Sequence, residues 1–252
     1  MRGAPAPNWY NPAAVATLVE ALAQTFLPAS CSICGTALPW RGSRAGVCPT
    51  CWAGAGAHVG PLCPSCGAPE VADEGACLAC RNAPPPWLAA ASFGPYAGTL
   101  RELILLFKGR GRDELAAPLA ALMIEALGRA AWPSPDAVVA VPMAWARRLR
   151  RGYNQAELLA HEVARTLGVR PVRALRRRGR GTQVGTARRE RLRLAASAFP
   201  VRRAVHGQVV LVDDVLTTGA TATACTRALR RAGAAEVYVL TIARTPQPGR
   251  VP

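Results

Sequence analysis

Residues 209–221 read VVLVDDVLTTGAT: four apolar residues are followed by two aspartates and then by threonines around a glycine. An apolar run of this kind is typical of a parallel strand with both faces buried. The threonines and the glycine predict a turn from that strand into a helix. Strand, turn and helix in this order indicate an α/β fold, whose sheet binds ligands at the carboxyl ends of its strands.

The predicted tip of this strand combines acids with a phosphate-binding turn. Exposed amides at a helix N-terminus bind phosphate, and threonine hydroxyls add donors. Two carboxylates beside a phosphate must face hydrogen-bond donors or a cation, and a sugar's vicinal hydroxyls, or a Mg2+ ion bridging them, meet that demand. The stretch therefore predicts a site for a phosphorylated ribose. Its predicted residues are Asp213, Asp214, Thr217, Thr218, Gly219, Ala220 and Thr221.

The segments around this stretch alternate between helical and strand patterns. Strands that are apolar on both faces, separated by helices, favour a Rossmann-like parallel sheet covered on both sides. A triple proline at 84–86 marks the start of this part of the chain. Predicted helices cover residues 99–108, 113–130, 154–168 and 219–234, and predicted strands cover 136–142, 208–215 and 236–244.

A different chemistry is predicted before the prolines, where eight of the nine cysteines form four pairs with two residues between the partners. That spacing lets one tight turn direct both thiolates at a single metal, and two such turns complete a tetrahedral site. Eight thiolates therefore make two structural zinc sites without an open coordination position. Glycine follows the first and third pairs, which favours two successive ribbons. The predicted ligand sets are Cys31, Cys34, Cys48 and Cys51, and Cys63, Cys66, Cys77 and Cys80.

Other uses of these cysteines stay open at the level of sequence: an interleaved pairing, an iron–sulfur cluster or a disulfide framework. Residues 11–27 do not resemble a signal peptide, because they carry Glu20 and follow no basic cluster, which favours metal over disulfides. No apolar run reaches the roughly 18 residues of a membrane span, so we expect a cytoplasmic protein. The ninth cysteine, Cys225, lies in an apolar helical segment and is expected in the core.

Charge is strongly uneven along the chain, whose formal net charge is +16. Residues 1–83 hold four arginines and four acids, whereas residues 147–193 hold fifteen arginines and three glutamates. A basic region of this kind attracts phosphates or nucleic acid. A bias toward arginine in the whole chain, in which Lys108 is the single lysine, would produce the same excess without a function.

The acids and the Thr/Gly/Thr turn of residues 209–221 resemble the loop that binds 5-phosphoribosyl 1-pyrophosphate (PRPP) in type I phosphoribosyltransferases. Together with the cysteine module, the chain resembles the ComF family of competence proteins (ComFC/GntX-like) over nearly its whole length. The resemblance implies a double zinc ribbon, then a phosphoribosyltransferase fold that takes PRPP with Mg2+. The implied organisation is an N-terminal helix at 1–27, two ribbons at 28–83, a phosphoribosyltransferase-like domain at 88–245 and a tail at 246–252.

Three further segments carry the same resemblance: LLFKGRGR (105–112), VPMAWARRLRRGYNQAELLA (141–160) and TQVGTARRERLRLAASAF (182–199). They imply that four basic side chains contact the ligand or its pyrophosphate: Lys108, Arg147, Arg151 and Arg191. The second segment implies a basic loop after a strand that ends in Val-Pro, and the third corresponds to a mobile loop in the family. The other matching positions are Pro142, Gly152, Tyr153, Asn154, Gln155, Gln183, Gly185, Glu190 and Phe199.

The resemblance implies displacement of pyrophosphate at the anomeric carbon of ribose. It also implies a part in natural transformation and DNA uptake, with single-stranded DNA and a competence helicase as partners. Departures from the family pattern at Ala144, Leu194 and Ser197 keep a second function open, in which a DNA-handling factor binds PRPP without turning it over. A phosphoribosyltransferase of nucleotide salvage with another acceptor is a third, and self-association is compatible with each.

Overall fold

The computed structural model describes residues 15, 29–38, 44–69, 75–178 and 198–246. The chain divides into two compact units, Met1–Gly54 and Ala55–Pro252. The division falls between the two groups of cysteines, so each unit holds one group. Several predicted features lie outside the described residues: the helix at 1–27 except for Val15, the loop positions Gln183, Gly185, Glu190, Arg191, Leu194 and Ser197, and the tail beyond residue 246.

The described helices and strands follow the predicted alternation. The helices are α1 (Pro49–Ala53), α2 (Leu78–Asn82), α3 (Gly98–Phe107), α4 (Ala116–Ala130), α5 (Trp145–Arg151), α6 (Gln155–Leu167) and α7 (Ala220–Arg231). The strands are β1 (Ala89–Pro95), β2 (Ala137–Ala140), β3 (Gly207–Leu216) and β4 (Ala234–Arg244). Within the described residues, no helix has both the length and the apolar character needed to cross a membrane.

The four strands form one parallel sheet in the order β1, β4, β3, β2. Strand β3 is therefore interior, with Val209 opposite Ala137 of β2 and Val237 of β4. Successive residues of a strand point to opposite faces, and the four residues from Val209 to Val212 are all buried. Both faces of the sheet are thus covered, which confirms the predicted α/β class.

The strand β1, with the sequence AAASFGP, is the one that the apolar pattern does not predict, because alanine and glycine have low strand propensity. Its position is fixed by its neighbours. It pairs with β4 on one side, and the carbonyl oxygen of Phe93 accepts a hydrogen bond of 2.8 Å from the amide of His58. A Cβ atom on Gly94 would lie 2.1 Å from the carbonyl oxygen of Gly56. Glycine is the residue that permits this approach.

A second difference concerns residues 145–151, for which the sequence implies a basic loop and which form the helix α5. Arginine, alanine and leucine are good helix formers, and no proline or glycine interrupts them. The helix ends at Gly152, whose φ of 88° is in the left-handed region that favours glycine. Asn154 then caps α6, because its side-chain oxygen accepts a hydrogen bond of 3.2 Å from the amide of Ala156.

Candidate functional site

At the carboxyl end of the sheet, strand β3 extends past the end of β2. The predicted acids lie where β2 ends. Ala140, the last residue of β2, pairs with Val212, whereas β3 continues to Leu216 beside β4. Asp213 and Asp214 therefore follow directly after the point at which β2 ends, and both are half-buried. Their carboxylates lie at the carboxyl ends of the strands, which is where parallel sheets bind ligands.

Lys108 forms an ion pair with one of these acids. Its Nζ atom lies 3.2 Å from Oδ2 of Asp214, and the two side chains are only 23% and 17% exposed. The same ammonium group lies 5.7 Å from the centre of the Tyr96 ring, at cation–π distance. Lys108 follows the last residue of α3 as its C-cap, so the structure brings this predicted residue to the carboxylates of the site.

The Asp213 carboxyl is half-buried and close to a second acid. Burial and the charge of Asp214 raise the pKa of Asp213 to about 8, against the lowering effects of the Asp214 amide, Lys108 and Arg177. The amide of Asp214 donates to Oδ1 of Asp213 at 2.9 Å. Burial beside a second acid therefore disfavours the charged form of Asp213, and these surroundings favour a positive ion or a hydroxyl group as its partner.

Arg177 is a site residue that the sequence pattern does not identify. Its positive charge acts on Asp213 and lowers the pKa of that carboxyl. Its guanidinium carbon lies 5.3 Å from the centre of the Phe199 ring, at cation–π distance. Arg177 therefore adds a second positive charge, beside that of Lys108, to the surroundings of the acids.

The chain around Arg177 is paired with a segment that follows the predicted mobile loop. Leu175 forms an isolated antiparallel bridge with Val201. The amide of Arg178 donates to the carbonyl oxygen of Ala198 at 3.0 Å. The two ends of the predicted loop are therefore held together, at residues that include a neighbour of Arg177.

The turn after β3 is fixed at both ends and exposed between them. At its start, the buried Arg244 donates to the carbonyl oxygens of Leu216, at 2.8 Å, and of Thr217. At its end, the amide of Thr223 donates to the carbonyl oxygen of Gly219 at 2.7 Å, in the first turn of α7. The side chains at 217, 218 and 220 are exposed, and the one at 221 is half-buried. The turn thus presents hydroxyl and amide groups at the N-terminus of a 12-residue helix.

Two residues of the segment that resembles the family's Arg-Gly-aromatic-Asn-Gln motif form hydrogen bonds with backbone carbonyl oxygens. The Tyr153 hydroxyl lies 2.8 Å and 2.7 Å from the carbonyl oxygens of Phe107 and Gly109, and its single O–H can donate to either. The Gln155 amide also donates to Phe107, at 3.3 Å. These bonds hold the backbone on both sides of Lys108. They therefore position the lysine that meets Asp214.

Two predicted pyrophosphate residues lie on α5. Arg151 donates to the side-chain oxygen of Gln155 at 3.2 Å, and Arg147 is exposed. The described contacts of these two arginines do not include the turn at 217–221. Helix α5 follows β2 and its Val-Pro end, so both arginines belong to the connection that leaves the carboxyl edge of the sheet.

The cysteines form the two predicted groups and not the interleaved ones. Within each group, the four sulfur atoms all lie within 4.8 Å of one another. The Sγ atoms of Cys34 and Cys48 are 3.7 Å apart, and those of Cys66 and Cys77 are 3.8 Å apart. Four thiolates bound tetrahedrally to zinc at about 2.3 Å are about 3.8 Å from one another. Both groups therefore fit structural zinc.

Backbone amides also support the metal-binding form of these sulfurs. The amide of Cys48 donates to the sulfur of Cys31, and the amide of Cys77 donates to that of Cys63, each at 3.3 Å. Burial would raise the pKa of the Cys31 thiol, but such amide donors lower it to about 6. Thiolate is the form that binds zinc. By contrast, the ninth cysteine, Cys225, is fully buried within α7, as predicted.

The comparison with known proteins agrees with this architecture. A family model described as "Double zinc ribbon domain" matches residues 22–81, and one described as "Phosphoribosyl transferase domain" matches residues 113–252. The first range contains both cysteine groups, and the second contains the acids, the turn and α7. The fold and the site therefore define a protein of the phosphoribosyltransferase-domain class.

Proteins that are similar to this chain over most of its length identify the family within this class. "DNA utilization protein YhgH" of Salmonella typhi is 36% identical over 227 residues, which cover 87% of this chain and 98% of that protein. The protein of the same name from Escherichia coli K12 is 34% identical over 226 residues, with the same coverage. "Competence protein F" of Haemophilus influenzae is 32% identical over 199 residues, 73% of this chain and 85% of that protein. The chain belongs to the ComF family, as predicted.

A purine phosphoribosyltransferase structure from Pyrococcus horikoshii covers 61% of this chain and 77% of its own chain, at 20% identity and with a TM-score of 0.31. That similarity is too low to add to the assignment.

Proposed function

We propose that the carboxyl edge of the sheet binds PRPP, and that the protein acts with this ligand in the uptake or use of DNA. The observation that carries the proposal is the half-buried pair Asp213 and Asp214, which precedes the turn into α7 and of which Asp214 forms an ion pair with Lys108. In this assignment the acids face the ribose hydroxyls, and the turn at 217–221 holds the 5-phosphate. A phosphate at a helix N-terminus gains from both the free amides and the helix dipole.

The pyrophosphate of PRPP would lie toward the basic residues around this edge. Arg147 and Arg151 follow β2, and Arg191 belongs to the segment whose two ends are held together beside Arg177. Arginine binds phosphate oxygens through two parallel hydrogen bonds. We assign the arginines at 147, 151 and 191 to the pyrophosphate, and Lys108 to the charge balance between the acids and the ligand.

Asp213 and Asp214 are also the residues that would hold Mg2+ together with PRPP, because carboxylate oxygens are its preferred protein ligands. The ion would supply charge neutralisation for the departing pyrophosphate. For a transfer reaction, the chain itself would have to hold the sugar and the leaving group in line for attack. The absence of asparagine at position 194 and of histidine at position 144, which the family pattern has, favours binding without turnover as the alternative.

Calorimetry with PRPP and Mg2+ tests the assignment. The double variant Asp213→Asn with Asp214→Asn should lose PRPP binding and keep its fold and zinc content. Asp136→Asn is the matched control, because Asp136 accepts from the amide of Gln208 at the opposite end of β3. If the double variant binds PRPP as tightly as the parent, these acids are packing groups and the proposed function is wrong.

The phosphate half of the site is tested separately. Thr218→Val deletes a hydroxyl donor and should weaken PRPP binding by about 1–3 kcal/mol, the cost of a lost hydrogen bond to a charged group. Binding of ribose 5-phosphate should weaken equally, because it keeps the 5-phosphate and lacks the pyrophosphate. Unchanged affinity for both ligands would remove Thr218 from the site.

Release of pyrophosphate distinguishes transfer from binding. It should be followed with PRPP and Mg2+ alone, and then with single-stranded DNA or free bases added. Release that depends on one of these additions would identify the acceptor and establish an enzyme. Binding without release would favour the PRPP-responsive DNA factor, for which we also propose a cytoplasmic location.

One structural observation favours direct contact with single-stranded DNA. Helix α5 carries Trp145 and Leu149, which are 72% and 67% exposed, among four arginines. An exposed aromatic ring within a basic surface can stack on a base while the arginines contact phosphates. The names of the relatives, DNA utilization protein and Competence protein F, refer to DNA-related roles of those proteins.

Salt dependence tests a second part of the basic region at 147–193, the arginines that follow Leu175. Neutralising Arg176, Arg178 and Arg180 should weaken DNA binding and flatten its dependence on salt, because fewer counterions are released. Arg177 is left in place, since it acts on Asp213. A control of equal net charge neutralises three arginines elsewhere, at 101, 227 and 231.

The aromatic part of the contact is tested by Trp145→Ala, which should cost about tenfold in affinity for single-stranded DNA. The measurement is the dissociation constant at fixed salt, since the substitution leaves the net charge unchanged. An unchanged salt slope in the arginine variant would remove residues 176–180 from the DNA site, and unchanged affinity of Trp145→Ala would remove α5.

A further inference from the structure

Trp87 joins two parts of the larger unit that have different chemistry. It lies between the triple proline and β1 and is only 7% exposed. Its indole N–H donates to the carbonyl oxygen of Ser65 at 2.7 Å. Ser65 lies between Cys63 and Cys66, in the turn that aims both sulfurs at the second metal site. One edge of the Trp87 ring is therefore tied to that turn.

The opposite edge of the ring contacts the proposed phosphate-binding turn. A Cβ atom on Gly219 would lie 2.8 Å from Cη2 of Trp87. Gly219 is buried, has a φ of +76° and is the N-cap of α7. Any side chain at this position would collide with the ring. The indole ring thus packs against the backbone of the turn.

The position of Trp87 is set from two directions. The next residue along the chain, Leu88, donates its amide to the carbonyl oxygen of Val237 in β4 at 2.8 Å. On the other side, Gly67 approaches β1 so closely that a Cβ atom there would lie 2.9 Å from the carbonyl oxygen of Ala90. The cysteine turn and the sheet therefore hold the ring between them. Movement of that turn would release the ring.

We propose that Trp87 is a positioning residue through which the Cys63, Cys66, Cys77 and Cys80 site organises the phosphate-binding turn. Zinc fixes the turn that presents the Ser65 carbonyl, this carbonyl orients the indole, and the indole supports the backbone at Gly219. Metal at this site and ligand at residues 217–221 then stabilise each other, because linkage between two sites is reciprocal. The identity of the ligand rests on the proposed function, whereas the link from zinc to the turn does not.

Hydrogen exchange of residues 217–223 without any ligand tests the link first. Trp87→Phe removes the N–H donor and the far edge of the ring, so exchange in this segment should rise about fivefold, the size of one lost hydrogen bond. Trp132→Phe is the matched control, because Trp132 packs on Tyr238 with ring centres 4.9 Å apart. Removal of zinc should raise exchange in residues 217–223 more in the parent than in Trp87→Phe. Equal exchange in the parent and Trp87→Phe would overturn the proposal.

The effect of the ligand on the metal site is measured by the rate at which zinc is lost. Ribose 5-phosphate should slow the loss of zinc from the second site to a chelator by about fivefold or more in the parent, and not in Trp87→Phe. Gly219→Ala should speed this loss by displacing the ring. Gly168→Ala is its control, because Gly168 has a similar φ of +69° with nothing within 4 Å of the added carbon.

Equal zinc release in both glycine variants would contradict the link. If neither PRPP nor ribose 5-phosphate binds, the proposed function fails, while the ligand-free exchange result still decides on Trp87. The two failures are therefore distinguishable.

Discussion

The two cysteine groups share their ligands and spacing but differ in their surroundings. The first, Cys31 to Cys51, belongs to the compact unit Met1–Gly54. The second, Cys63 to Cys80, belongs to the unit that contains the parallel sheet, and its turn contacts both Trp87 and β1. The same metal chemistry would therefore have different consequences: zinc bound to the second group would support the sheet domain, whereas zinc bound to the first would stabilise a separate unit.

The exposure of the cysteines follows the same division. Cys34 of the first group is exposed, whereas Cys63, Cys66 and Cys80 of the second group are all buried. The second group also forms its own small apolar cluster with Ala68. A buried zinc site in contact with a larger core contributes to the stability of that core. The comparison between the groups can thus be tested by disturbing each in turn.

The largest expected effect is loss of the second site. The parent should hold close to two zinc ions by elemental analysis. Cys63→Ser with Cys66→Ser should lose one of them and destabilise the sheet domain by roughly 3 kcal/mol, equivalent to about 10 °C in Tm for a domain of this size. Calorimetric melting measures both transitions.

The control for this experiment is Cys31→Ser with Cys34→Ser. It should also lose one zinc ion but leave the melting of the sheet domain unchanged. Equal destabilisation of that domain by the two double variants would mean that the groups do not differ in the way described. Protein without any zinc, when reduced and folded, would remove both sites.

A smaller effect is expected at the glycines that follow the first pair of cysteines in each group. Gly35 and Gly67 both have a left-handed φ, +74° and +64°, so alanine at either should cost about 1 kcal/mol of strain. An added carbon at Gly35 has nothing within 4 Å, whereas at Gly67 it would lie 2.9 Å from a backbone oxygen of β1. Gly67→Ala should therefore be the more destabilising by roughly 1–3 kcal/mol, the cost of overpacking. Equal free energies of unfolding in urea would contradict the close contact.

The last expected effect is a pH dependence that His58 gives to the larger unit. His58 shares a hydrogen bond of 3.0 Å with the Ser92 hydroxyl, and burial, aided by Arg129 and Arg244, lowers its pKa to about 4. Below about pH 6.5 the unfolded chain then binds a proton that the folded chain does not. The contribution of His58 to the stability of the unit should therefore fall as the pH is lowered from about 6.5 to about 4, whereas the raised pKa of Asp213 contributes in the opposite direction.

Urea unfolding across this pH range measures the effect. Relative to the parent, His58→Gln should lose stability less steeply as the pH is lowered through this window. A slope that persists in His58→Gln would assign it to other groups.

Much of the sheet domain follows from the sequence because its strands and helices are marked by local patterns. The apolar run at 209–212 and the periodic helices α4 and α6 are decided by burial within each segment. Strand β1 is not marked in this way. Its alanines and Gly94 become a strand because β4 lies on one side and the segment around Gly56 on the other. That information is in the tertiary structure and not in the segment itself.

The residues of the candidate site also fall into two sets, those that the local sequence predicts and those that only the tertiary structure identifies. The acids, the turn and the cysteine pairs are contiguous motifs, and their chemistry can be predicted from residue type and spacing. Trp87, Arg177 and Arg244 act on these motifs from distant positions in the chain, and nothing in their local sequence indicates a role. The pairing of Lys108 with Asp214 is intermediate, because a resemblance placed the lysine near the ligand but not on the carboxylate.

Hydrogen exchange with and without PRPP and Mg2+ tests the assignment of the PRPP site, because it locates the ligand on the chain. Residues 213–223 should be protected, since the acids, the turn and the first turn of α7 would contact the ligand. Residues 31–51 in the other unit should not change. Binding of PRPP by calorimetry without protection of residues 213–223 would contradict the account, and would place the ligand site elsewhere in the chain.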